Sequence, residues 1–214
     1  MSLKLLVIDD HPLVQKGMIA ALQTLRNGIT VLSAPDAEEG MQRVSENTDL
    51  DLVLLDLALP GSGQDTGYAF ICSLREQIPT LPVLVVSALE APENVRLAIN
   101  AGAMGFVPKS AGSEVLLKAL DHVLDGGISV PEMVDFSDWD DGEGPTPDVR
   151  RLTRRQLQVL AAVCEGKTNR EVALELGLSE KTIKAHMTAV FKVLHVQSRT
   201  QAIVVARRLG MTPR

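Results

Sequence analysis

Five short apolar runs punctuate the first half of the chain: Leu3–Ile8, Ile29–Leu32, Leu52–Leu55, Pro82–Val86 and Gly105–Val107. They do not alternate apolar with polar, as a strand with one wet face would. They therefore predict strands buried between two helix layers. Between them, Leu13, Val14, Gly17, Met18, Ala21, Leu22 and Leu25 follow the 3.6-residue helical period. The stretches 36–46, 67–77, 91–101 and 113–125 read as further helices. Alternating strands and helices imply right-handed crossovers and a parallel sheet.

The rhythm breaks at about residue 129. Glu132, Asp135, Asp138, Asp140, Asp141 and Glu143 are interspersed with Gly142, Gly144, Pro145 and Pro147. Mutual repulsion and the Pro/Gly content predict a solvated linker over 129–149. It separates a first domain, 1–128, from a second, 150–214. No strand pattern returns in the second. Helices are predicted at about 153–164, 168–176, 179–194 and 199–209, with Thr153, Thr168, Ser179 and Ser198 as N-caps. Gly166 and Gly177 punctuate the first two turns.

Charge sharpens the division. Net charge is −6, but residues 1–147 carry 22 acidic and 8 basic side chains, a net of −14. Residues 148–214 carry 5 acidic and 13 basic, a net of +8. The second domain therefore suits a polyanion. Cys72 and Cys164 lie far apart among apolar neighbours and are expected to be buried free thiols. No segment is apolar for long enough to span a membrane, so a cytoplasmic protein without a membrane partner is expected.

Candidate chemistry gathers where the predicted strands end. Asp9 and Asp10 follow the first, Asp56 the third, Ser87 ends the fourth and Lys109 follows the fifth. In a doubly wound sheet these ends form the ligand crevice. Three carboxylates together call for a cation, and oxygen ligands suit a hard ion such as Mg²⁺. A carboxylate can act as nucleophile and form an aspartyl phosphate, with the metal, Lys109 and the Ser87 hydroxyl neutralising the phosphoryl oxygens. Asp56, alone on the central strand, is the expected nucleophile. Taken singly, Asp-Asp before a helix is an ordinary N-cap arrangement, and it is the coincidence at successive strand ends that points to a site. "GSGQDTG" lacks the Gly-Lys-Ser/Thr ending of a phosphate loop. His11 reads as a loop residue. A haloacid-dehalogenase-like phosphatase would need a second Asp two residues after the nucleophile, where Ala58 stands.

The segments "LLVIDDHPLV", "LVLLDLALPG", "VLVVSA" and "GAMGFVPKS" resemble the receiver domain of bacterial two-component response regulators. The resemblance implies a flavodoxin-like sheet of order 2-1-3-4-5 and a non-enzymatic switch. It implies Asp56 as phosphoacceptor for a histidine kinase, and Asp9, Asp10, Asp56 and the Ala58 carbonyl as the Mg²⁺ site. Ser87 takes the hydroxyl position and Phe106 that of the switch aromatic. "PGSGQDTG" is longer than the Pro-Gly-x-Asp-Gly common in the family.

In the second domain, "EGKTNREVALELGLSEKTIKAHMTAVFKVL" reads as helix, Gly-containing turn, helix. Val172, Ala173, Leu176 and Leu178 would pack with Ile183, Met187, Val190 and Leu194. A second helix of this kind enters the major groove, with basic side chains on phosphates. Residues 152–203 are similar to the NarL/LuxR-type four-helix DNA-binding domain, with Gln156 in place of the usual Glu. Carried over by position, Lys184, Ala185 and Thr188 would face bases. Thr168, Asn169, Thr182, His186 and Lys192 would lie on or near the DNA backbone. The helix around Arg199–Leu209 resembles the family's dimerisation helix. The two resemblances imply a response-regulator transcription factor that binds DNA as a homodimer once phosphorylated. The rival readings are a DNA-binding regulator with a phosphorylation-independent receiver, and a phosphatase using the acidic cluster on an external substrate.

Overall fold

The computed structural model describes residues 3–60, 66–78, 81–131, 152–196 and 198–211. The acidic segment expected at 129–149 lies, from residue 132 on, outside the described residues. The first domain is a doubly wound α/β unit. Its strands β1 (Leu3–Ile8), β2 (Ile29–Ala34), β3 (Leu52–Leu55), β4 (Val83–Ser87) and β5 (Gly105–Pro108) form one parallel sheet of order β2-β1-β3-β4-β5. Helices α1 (Pro12–Leu25), α2 (Ala37–Glu46), α3 (Thr66–Gln77), α4 (Pro92–Ala101) and α5 (Ser113–Leu124) make the crossovers.

The sheet has a core on each face, which explains its non-alternating strands. Leu6, Ile8, Val53, Leu55, Val83 and Val85 point into one core, closed by residues of α2, α3 and α4. Leu5, Val7, Leu52, Leu54, Leu84 and Val86 point into the other, closed by α1 and α5. Burial of this apolar area is the main stabilising term. One expectation needs correcting. β2 is an edge strand, and Ile29, Val31 and Leu32 are only half-buried. An edge strand has a neighbour on one side only, so helices cover it less completely.

After α5 the chain runs along the sheet before leaving it. Phe106 donates its N–H to the Ser129 carbonyl at 2.7 Å and Ser129 donates to that of Met104 at 3.0 Å, so Ser129 extends the β5 edge.

The second domain comprises α6 (Arg154–Cys164), α7 (Asn169–Leu176), α8 (Glu180–Leu194) and α9 (Arg199–Arg208) around its own core. All four expected caps form. Thr153, Thr168, Ser179 and Ser198 each accept a backbone N–H in the first turn. Gln156 and Glu171 close reciprocal capping boxes. Gly177 ends α7 at φ 63, a left-handed conformation that glycine adopts without strain. The cysteines differ from expectation. Cys164 is buried, and burial pushes its thiol pKa up, but Cys72 is exposed. Its neighbours Ile71 and Leu74 are the core positions of α3, and Cys72 takes the outer face.

Candidate functional site

The parallel sheet brings the carboxyl ends of β1, β3, β4 and β5 to one edge. Ladder-type bonds run past the strand ends and fix the side chains that follow. Asp9 donates its N–H to the Ala34 carbonyl at 3.2 Å, Asp56 to that of Ile8 at 2.9 Å, and Lys109 to that of Ser87 at 2.9 Å. Asp9 is 1% exposed and Asp56 3%.

Asp56 is the hub. Its Oδ1 accepts the Ser87 hydroxyl at 2.8 Å and the Ala58 N–H at 3.2 Å. Its Oδ2 accepts from Lys109 Nζ at 2.5 Å, and the same ammonium lies 2.7 Å from Asp9 Oδ2. Burial alone would push the Lys109 pKa down. Hydrogen bonds to Asp56 and Asp9 outweigh it and hold the ammonium above its ordinary range. Asp9 Oδ1 accepts the His11 N–H at 2.8 Å, and His11 Nδ1 lies 2.6 Å from Asp10 Oδ1. Sequence reasoning placed His11 in a loop without seeing that its ring reaches the acids.

The donor set fits a hard divalent cation. Ligand atoms of Asp9, Asp10, His11 and Asp56 lie within 4.8 Å of one another. Asp9 Oδ2 and Asp10 Oδ1 are both buried, with the Lys109 ammonium against the first and the His11 ring against the second. Carboxylate oxygens suit Mg²⁺ better than an imidazole does. Phe106 is 2% exposed, in the core under α2–α4.

In the second domain α8 buries Ile183, Met187, Val190 and Leu194. Lys184, Ala185 and Lys192 are exposed, and Thr182, His186 and Thr188 half-buried. Thr168 is turned into its capping box, where Glu171 accepts its N–H at 2.7 Å.

Comparison with known proteins matches residues 5–121 to the response regulator receiver domain and residues 150–206 to the bacterial regulatory proteins of the luxR family. The chain belongs to the LuxR-family response regulators. It is 33% identical to the glycerol metabolism activator of Pseudomonas putida over 217 residues, covering 98% of this chain and 97% of that one. It is 32% identical to the nitrate/nitrite response regulator protein NarL of Escherichia coli K12, over 94% and 93% of the two chains. The crystal structure of the response regulator ChrA of a heme-sensing two-component system superposes with TM-score 0.51 at 27% identity, covering 98% of each chain. This is a DNA-binding family of transcription regulators, not of enzymes. No helix among the described residues is long and apolar enough to cross a membrane.

The two domains of this response regulator touch, as the opposite charges of its two halves lead one to expect. Asn169, 8% exposed, donates its N–H to the Asp125 carbonyl at 2.6 Å. Gln201 donates to the Asn100 carbonyl at 2.7 Å, and α9 packs on α4 with Val204 joining the receiver core. Lys184 and Thr188, expected on DNA bases, line a cavity whose opposite wall is Pro82, Met104 and Leu124 of the receiver. Lys184 also borders a depression holding Asn47 and Asp51. Gly126 lets the two domains come this close. Gly126 sits at φ 85, and a Cβ there would lie 2.2 Å from Asn169 Nδ2.

Proposed function

We propose that this regulator is switched by phosphorylation of Asp56 by a cognate histidine kinase in the cytoplasm, and that the described arrangement is its closed, DNA-masked form. The observation that carries the reading is Lys109 Nζ bridging Asp9 and Asp56, with Ser87 on the second oxygen of Asp56. A carboxylate oxygen of Asp56 would bond to phosphorus as the P–N bond of the donor phosphohistidine breaks, and the imidazole leaves neutral after protonation. Asp9, Asp10, Asp56 and the Ala58 carbonyl would hold Mg²⁺. When bound, the ion neutralises charge on the transferred phosphoryl group. Lys109 and Ser87 would leave Asp56 and bind phosphoryl oxygens instead. Phe106, the switch aromatic of the resemblance, would repack when they move.

Masking is supported by Lys184 and Thr188 facing the receiver and by Asn169 being buried against Asp125. In an opened protein Lys184, Ala185 and Thr188 would read bases. Thr168, Asn169, Thr182, His186 and Lys192 would meet the DNA backbone, and α9, freed from α4, would pair with a second copy. The aspartyl phosphate shifts this equilibrium only as far as its contacts discriminate between the states.

The test is labelling by acetyl phosphate with Mg²⁺. Asp56→Asn should abolish the label, and chelating Mg²⁺ should abolish it in the wild type. Undiminished label on the variant, mapped to another residue, would refute the assignment.

A further inference from the structure

His11 stands at the acid pocket, yet phosphoryl transfer gives it no task. It lies between Asp10 and Pro12, the first residue of α1. Asp9 Oδ1 accepts its N–H at 2.8 Å, which holds its backbone to the pocket. Its ring Nδ1 is 2.6 Å from Asp10 Oδ1 and 3.6 Å from Asp9 Oδ1, while the side chain is 63% exposed. Solvent therefore reaches the ring from one side and the acids from the other. The cation now nearest these acids is Lys109, which pairs with Asp9 Oδ2 and Asp56 Oδ2.

One imidazole among three carboxylates changes which ion the pocket prefers. Mg²⁺ takes oxygen ligands and keeps several waters, so a nearby nitrogen adds little. Zn²⁺ takes imidazole nitrogen and carboxylate oxygen alike, at about 2.0–2.2 Å and with tetrahedral geometry. That bond length puts neighbouring ligand atoms about 3.4 Å apart. The 3.6 Å between His11 Nδ1 and Asp9 Oδ1 is already close to this spacing. The 2.6 Å contact with Asp10 widens when an ion replaces the proton between the two groups. Asp56 completes the set, since ligand atoms of all four residues lie within 4.8 Å of one another. A Zn²⁺ site whose positions are all filled by protein is closed, whereas a catalytic one keeps a position open. Four ligands from this pocket would engage Asp56 and leave no position for a phosphoryl oxygen.

We propose that the phosphoacceptor pocket is also an inhibitory Zn²⁺ site, in which His11 Nδ1 is the ligand that distinguishes Zn²⁺ from Mg²⁺. Zn²⁺ competes there with Mg²⁺ and, by holding Asp56, blocks acceptance of the phosphoryl group. The block rests on the phosphoacceptor reading above, but the binding of Zn²⁺ through His11 does not.

Calorimetric titration of the unphosphorylated full-length protein with zinc chloride and, separately, magnesium chloride tests the site. Wild type should bind both ions, Zn²⁺ the more tightly. His11→Ala should weaken Zn²⁺ by at least about tenfold, since even the outer partners of metal ligands carry effects of that size. Its Mg²⁺ affinity should stay within about twofold, because the oxygen ligands remain. Should His11→Ala disturb the fold, His11→Gln decides, with the same two outcomes expected. Zn²⁺ affinity undiminished in both variants would place the ion on other residues and overturn the proposal. Equal losses of both ions would make His11 a support for the acids rather than a ligand, and absence of saturable Zn²⁺ binding would also refute it. Acetyl-phosphate labelling with Mg²⁺ then reads the inhibition. Added Zn²⁺ should suppress the label, and His11→Ala should need about tenfold more Zn²⁺ for the same fractional loss. Labelling that persists in wild type saturated with Zn²⁺ would overturn the block. Absence of label without any Zn²⁺ would count against Asp56 as phosphoacceptor and leave the calorimetric result standing.

Discussion

Lys109 carries two jobs that a single substitution separates. Without a metal, its ammonium is the cation that neutralises the buried Asp9 and Asp56 carboxylates. Lys109→Ala should therefore destabilise the receiver by about 3 kcal/mol, toward the low end for removing one partner of a buried pair, since the Lys109 side chain keeps 17% exposure. Mg²⁺ should recover much of that loss, more than it adds to the wild type, because it neutralises the same carboxylates. Thermal unfolding with and without Mg²⁺ decides this, and equal Mg²⁺ effects on both proteins would count against a shared site. The pH dependence has a definite sign. The folded pKa of Lys109 lies above the ordinary 10.5, so its stabilising contribution is full below 10.5 and disappears as pH rises through the higher folded value. The difference between wild type and variant should be flat from neutral pH to about 9 and shrink only in alkali. Asp9, Asp56, Ser87 and Lys109 were legible in the sequence because each directly ends or follows an apolar run, and parallel pairing puts such positions together. His11 and Arg199 were not. Neither the approach of the His11 ring to Asp10 nor the burial of Arg199 beside Asn169 is set by local spacing.

At the scale of elements, caps were the most legible feature and burial the least. Thr153, Thr168, Ser179 and Ser198 stand just before apolar periodicity, and their hydroxyls satisfy N–H groups that no helix can satisfy itself. The face of α3 that meets the core was misread at Cys72, because sulfur among apolar neighbours looks the same on either side of a helix. The box at the start of α7 gives a direct test. Thr168→Ala should cost about 1 kcal/mol in unfolding free energy, and Thr168→Ser much less. Glu171 adds a pH signature. Its hydrogen bonds to the Thr168 backbone and hydroxyl hold its pKa below the ordinary 4.5. Its contribution is therefore full above 4.5 and is lost as pH falls through the lower folded value. Glu171→Gln should flatten that part of the acid limb. An acid limb identical in the two proteins would show that the box adds nothing in solution.

For the whole molecule, opposite charge on the two halves was plain in the sequence, but where they meet was not. Long-range attraction, screened beyond about 8 Å at physiological salt, brings two surfaces together without choosing their register. Short-range features choose it, and Gly126 is the sharpest of them. At φ 85 it follows the end of α5, and its missing side chain lets Asn169 close on the Asp125 carbonyl. Asn169 cannot simply withdraw, because its own N–H makes that bond and its amide oxygen accepts from Arg199. Gly126→Asn keeps a residue type that tolerates positive φ and places a Cβ where the Asn169 amide now sits. The expected effect is to open the closed form rather than to unfold either domain. Apparent DNA affinity scales with the fraction of open protein. Unphosphorylated Gly126→Asn should therefore bind nonspecific DNA about threefold to tenfold more tightly than wild type at low salt. The gap should narrow as salt rises, because screening also loosens the acidic-to-basic contact that closes the wild type. A fluorescence-anisotropy titration of both proteins at two salt concentrations measures it. Equal affinities at low salt would mean that this seam does not mask the DNA-binding surface, and control would then have to run through dimerisation by α9 alone.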